Sequence, residues 1–193
     1  MTRFSFYREI HKAIRAMLLD AVTESGRLDW TDGTAAASFR RNLENVFVLL
    51  AAHAEHEEEF IAPLLEKSAI SVAHLVARTH RHHDVALRHL LAQLEAIDSN
   101  APDAEAKGHE FVVALSRFAG ETLIHMAEEE EEAMPALWRV YTDGQLLDVG
   151  LRLIGSIAPD ERAGWLPWQR ASFNHKELVK LETIAAELAA PRY

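Results

Sequence analysis

His53-Ala54-Glu55-His56-Glu57-Glu58, running on to Pro63, and His125-Met126-Ala127-Glu128-Glu129-Glu130, running on to Pro135, are two copies of one pattern. In each, a His is followed at the fourth and fifth positions by Glu-Glu and at the tenth by Pro. Residues four apart on a helix stack on one face. Each copy therefore sets an imidazole beside a carboxylate, and two such helices facing one another bring two His and two Glu into one small volume. That is a metal-site constellation, and it requires long helices.

The flanking sequence supplies them. Phe4, Tyr7, His11, Ile14, Leu18 and Ala21 recur at spacings of three and four, predicting a first helix from about Phe4 to Glu24. The Gly- and Asp-rich stretch Ser25–Gly33 reads as a loop. A second helix is predicted from Thr34 to Glu66, with Phe39, Val46, Leu49, Leu50, His53, Phe60 and Leu64 on its inner stripe. A third runs from Ile70 to Ile97, its seam formed by Val76, His80, His83, Leu87, Leu90, Leu94 and Ile97. A fourth follows the turn at Ser99–Asp103 and ends near Tyr141. Pro63 and Pro135 lack an N–H, so kinks are expected where Glu59 and Glu131 lose their backbone partners.

Four long helices with short connections predict an all-α, up-and-down four-helix bundle over residues 1–142. Residues 143–193 read as a C-terminal extension of three shorter helices, near Gln145–Ile157, Pro159–Ser172 and Lys176–Ala189. Asn174 followed by Glu177 is a helix-start signal for the last. Trp165 and Trp168 suggest an appendage packed on the bundle rather than a free tail.

Composition narrows the chemistry. The chain has 193 residues, 49% of them hydrophobic, enough for one domain with a sizeable core. A formal net charge of −10 argues against a nucleic-acid or anionic-membrane surface. There is no Cys, hence no disulfide and no thiolate ligand. A metal would sit on nitrogen and oxygen donors, which suits iron, manganese or zinc. Charges among the first 20 residues break any apolar signal core, and no long apolar run is present, so a soluble cytoplasmic protein is expected.

The candidate ligands also share a level. At 1.5 Å per residue, measured from the turn near Lys67, His53/Glu57 and His80/Asp84 both lie roughly 15–25 Å up the bundle. His11 near the start of the first helix, and His125/Glu129 before the end of the fourth, approach the same layer.

His11, the His53-x-x-x-Glu57 pair, a His-bearing third helix and the His125-x-x-x-Glu129 pair resemble the hemerythrin-like, or HHE cation-binding, family over about Phe4 to Tyr141. The resemblance implies a non-haem di-iron centre in a four-helix bundle. By position, His11 would be the ligand of the first helix, His53 and His125 terminal ligands, and Glu57 and Glu129 bridges. The family often carries His-x-x-x-His on the third helix, where this chain has His80-x-x-x-Asp84 with His83 on the inner seam. His80 is favoured as a ligand, with the second role open between His83 and Asp84. The oxygen carriers place the acid of the fourth helix five positions after the His, at Glu130 here; Glu129 is preferred because it matches the second helix. The other histidines, His56, His74, His82, His89, His109 and His175, are expected to be solvated or structural.

The implied function is binding or sensing of a small diatomic, oxygen or nitric oxide, or of iron and redox state. Leu49, Leu50, Phe118, Thr122 and Ile14, about one turn from the ligands, would line an apolar pocket for it. Two other readings stay open: a di-iron enzyme that removes peroxide or nitric oxide, and a metal-free or zinc-binding helical interaction module, which the C-terminal extension motivates. Ferritin-like sites use Glu-x-x-His on two helices, but Leu50 and Thr122 stand three residues before His53 and His125. The zinc-protease His-Glu-x-x-His, Gly-rich phosphate loops and Gly-x-Ser-x-Gly elbows are absent.

Overall fold

A proline has no amide hydrogen to give the carbonyl four residues back. Both prolines of the repeated pattern mark breaks in the computed structural model, which describes residues 3–189 and the side chains of residues 3–183. The helices are α1 (Arg8–Arg27), α2 (Gly33–Phe60), α3 (Ala62–Ser68), α4 (Ile70–Glu95), α5 (Ala104–Glu128), α6 (Met134–Val140), α7 (Asp143–Ser156), α8 (Pro159–Ser172) and α9 (His175–Ala189). A π-helical turn, Glu129–Ala133, joins α5 to α6. The described residues are all-α, with no strand.

The helix expected over Thr34–Glu66 is therefore two. Pro63 lies in the first turn of α3, where a missing N–H is tolerated, and the chain restarts at Ile61, whose carbonyl accepts from Leu64 and Leu65. The Pro135 break takes another form. The amide of Met134 reaches back five residues to the carbonyl of Glu129, closing a wider turn that holds one extra residue.

The first helix starts at Arg8 rather than Phe4. The Phe4 carbonyl is taken by the Trp138 indole N–H at 2.7 Å, and Ser5 Oγ accepts from the amides of Tyr7 and Arg8 instead. Arg3 meanwhile donates to the carbonyls of Trp138 and Tyr141 and pairs with Asp143. The N-terminal segment thus satisfies the end of α6. At its other end α1 continues to Arg27, past the Glu24 predicted from sequence, with Ser25 buried and bonded to the Val22 carbonyl.

Side chains cap the starts of α2, α7 and α9. Asp32 accepts from the amides of Thr34 and Ala35 at the head of α2. Thr142 and Gln145 form a capping box on α7. Asn174 Oδ1 accepts from the amides of Lys176 and Glu177, and Glu177 accepts from the Asn174 amide, as the sequence signal predicts.

α1 packs against α2 and α5, and α4 packs against the same two helices. The buried apolar residues separate into two cores. One holds Ile14, Leu18, Phe47, Leu50, Leu87, Phe118 and Met126. The other holds Tyr7, Ile61, Leu65, Ala73, Ala133 and Leu137. On each helix the same interval lies between the two: His11 on α1, His53 to Glu57 on α2, His80 and His83 on α4, and Glu129 at the end of α5. A buried polar layer is sandwiched between two apolar ones. α8 covers this assembly from outside, against α1 and α2.

Candidate metal centre

The layer is built from α-helical stacking. His53 and Glu57 are one turn apart on α2, and their Nε2 and Oε1 atoms are 3.1 Å apart. His125 and Glu129 repeat this at 3.2 Å. Glu57 Oε2 faces His80 Nε2 at 3.2 Å, while its Oε1 also faces His11 Nε2 at 3.9 Å. Glu129 Oε2 faces His11 Nε2 at 3.4 Å, and its Oε1 faces His80 Nε2 at 3.6 Å. Each carboxylate thus spans two imidazole pairs, His11 with His53 and His80 with His125. The donor atoms of Glu57, His80, His125 and Glu129 lie within 4.8 Å of one another, as do those of His11, His53 and Glu57.

Proximity here is not hydrogen bonding. Both oxygens of Glu57, both oxygens of Glu129, His11 Nε2 and both ring nitrogens of His125 are buried without a hydrogen-bond partner. Leaving so many polar atoms unmatched is costly in a protein interior. A cation among them would satisfy oxygens and imidazole nitrogens together, so the donor set fits a metal.

Titration behaviour reflects the crowding. Burial disfavours the charged imidazolium of His11, but Glu129 and Glu130 outweigh it and raise that ring to about 9. Burial likewise opposes His80, which Glu129 and Glu57 raise to about 10. His53 has no such net gain: burial, then the neighbouring His11, lowers it to about 3. His83 falls to about 4 through burial and His125. Burial and the charge of Glu129 push Glu57 up, whereas Glu129 itself, despite burial, is held well below the usual carboxylate range by His11, His125 and His80.

Around this core lies a supporting ring, in which Glu130, the alternative cluster acid in the sequence, stands behind His11. Glu130 Oε1 accepts from His11 Nδ1 and from Arg15, both at 2.9 Å. The π turn is what lets consecutive residues serve both purposes, Glu129 in the cluster and Glu130 behind His11. The recoverable signal was Arg15, one turn after His11 on the same face of α1. Tyr7, one turn before it, stacks on the His11 ring at 5.2 Å.

Of the two open positions on α4, His83 is buried, 5.2 Å from the His125 ring, with Nε2 unpartnered. Asp84 is not in the cluster. Its side chain is 62% exposed and pairs with Arg88 one turn along α4, because the position adjacent to His83 falls on the outer face of the helix. Of the other histidines, His74, His82, His89, His109 and His175 are exposed, and His56 pairs with Glu161 of α8. Of the acid run, Glu131 and Glu132 are exposed.

A pocket of about 350 Å³ opens onto His53, His80, His83 and His125. Ile14, Leu50, Phe118 and Thr122 line it as the spacing predicts. Leu49 does not; it turns toward Gly164 of α8. No helix among the described residues is long and apolar enough to cross a membrane.

The sequence model of the hemerythrin HHE cation binding domain matches residues 2–137, which contain every residue of the cluster. Searches of curated proteins and of solved structures found no match. A match over that span, ending within α6, joins with the buried His/Glu layer to place the chain in the hemerythrin HHE cation-binding family.

Proposed function

We propose that the chain holds two iron ions in the layer and binds or senses a small diatomic, oxygen or nitric oxide, or reports iron and redox state. His11 and His53 would serve one ion, His80 and His125 the other, with Glu57 and Glu129 bridging and His83 completing the second set. The observation that carries this is that each carboxylate turns one oxygen toward each imidazole pair. Bound iron would supply Lewis acidity and reversible redox chemistry. The protein would supply the rest: imidazoles fixed by helix stacking, carboxylate charge to offset the cations, and an apolar pocket beside the imidazoles. Manganese or zinc would fit the same donors. Residues 1–142 would form the metal-binding bundle and residues 143–193 a helical extension of it.

The test is metal content and the visible spectrum of protein purified without a metal-binding tag. About two irons per chain are expected, with ferric charge-transfer absorption reduced in His53→Ala and lost in Glu129→Ala. One zinc or no metal, with those variants unchanged, would refute the reading.

The pocket over the imidazoles also supports a second reading, a di-iron enzyme that consumes peroxide or nitric oxide. It predicts many turnovers per chain, and a stoichiometric reaction would rule it out.

A further inference from the structure

α8 lies outside the span matched by the family, yet it reaches the metal layer. Trp165 is 3% exposed, and its ring stands edge-on to the His53 ring with centroids 6.4 Å apart. Two contacts seat it there. Its indole N–H donates to Glu161 Oε1 at 3.3 Å, and Glu161 Oε2 is 3.1 Å from His56 Nε2 on α2. One residue before Trp165, Gly164 lies so close to Leu49 that a Cβ would stand 3.1 Å from its Cδ2.

Two separate cavities, with no lining residue in common, lie near this contact. A groove of about 680 Å³ between α1, α2 and α8 reaches Leu49, Ala52, Glu161 and Gly164 but none of the cluster imidazoles. The pocket of about 350 Å³ reaches four imidazoles and contains no residue of α8. Trp165 lines neither cavity: its α8 neighbours Glu161, Gly164 and Trp168 line the groove, while the His53 ring it abuts lines the pocket.

We propose that Trp165 is a positioning residue for the metal centre. It holds the His53 ring and closes the cluster to the groove, so that ions, chelators and small ligands exchange through the smaller pocket between α2, α4 and α5. This rests on the metal-binding reading above. An apolar wall of this kind controls water access and thereby how fast a metal site exchanges.

The test compares wild type, Trp165→Ala, Trp165→Phe and His53→Ala, each loaded with ferrous iron without oxygen and then challenged with a small iron chelator. Trp165→Ala should load the same amount of iron and lose it about tenfold faster, while Trp165→Phe, which restores an aromatic wall, stays near wild type. Release from Trp165→Ala at the wild-type rate overturns the inference. Should Trp165→Ala fail to fold, tryptophan emission decides. Iron loading should quench a component present in wild type and missing from Trp165→Phe, and equal quenching in both overturns the inference. The metal reading fails separately: wild type that takes up no iron refutes both, whereas iron lost only in His53→Ala, with Trp165→Ala behaving as wild type, refutes this inference alone.

Discussion

Glu130 Oε1 lies 2.9 Å from His11 Nδ1, while the other nitrogen of that ring faces Glu129 Oε2 at 3.4 Å. An ionised carboxylate can only accept, so Nδ1 carries the proton and Nε2 is left for the cluster. Glu130→Gln removes that charge-assisted bond. Iron affinity should fall by about 10–100-fold, with helicity unchanged. Calorimetric titration checks this, and an unaltered affinity would show that Glu130 serves only Arg15.

Metal uptake should release protons. His11 at about 9 and His80 at about 10 both hold protons in the metal-free chain near neutral pH, and metal binding requires them off. Roughly two protons should leave from these rings on loading, measurable as a buffer-dependent binding enthalpy. No buffer dependence would contradict the assignment.

The metal-free chain should also have a window of stability. The raised His11 and His80 stabilise fully below their unfolded value of 6.5, and this is lost as pH climbs through about 9 and about 10. The lowered His53 and His83 act in the other direction. Below 6.5 the unfolded chain takes up protons that the folded sites refuse down to about 3 and about 4, so stability falls on acidification. Thermal unfolding with chelator present should therefore peak near about pH 6.5, falling on acidification and again as pH rises toward about 9 and about 10.

On α4, Asp84→Asn should leave iron content unchanged, since that carboxylate is exposed and paired with Arg88. His83→Ala should lower it. The reverse result in metal analysis would reinstate Asp84.

Gly108→Ala reverses an ordinary expectation. Alanine within a helix is normally more stable than glycine. Here the new Cβ would fall 2.2 Å from Trp30 Cγ, inside a packed aromatic group with Phe39 and Phe111. Destabilisation of about 1–3 kcal/mol is expected in denaturant unfolding.

What sequence conveyed best was periodic. The six seam positions on α4, from Val76 to Leu94, are all buried, as is Ile97 just past the helix end, because one face of a helix must meet the core along its whole length. The His-x-x-x-Glu pairs were legible for the same reason. Side chains whose partners are distant in sequence were not. Nothing local to Trp165 announces His53, nor anything in Arg3 the carbonyls of Trp138 and Tyr141. Proline forecast a disturbance near Glu131 but not its form, since a lost N–H permits a kink, a restart or a wider turn.

The shared carboxylates make the residues of the layer unequal in how far the loss of each one spreads. An imidazole belongs to one half, and its loss leaves the opposite half with its donors intact. Glu57 and Glu129 belong to both. A single substitution at either removes a donor from each half at once, so damage to the layer should be graded at the histidines and all-or-none at the two glutamates.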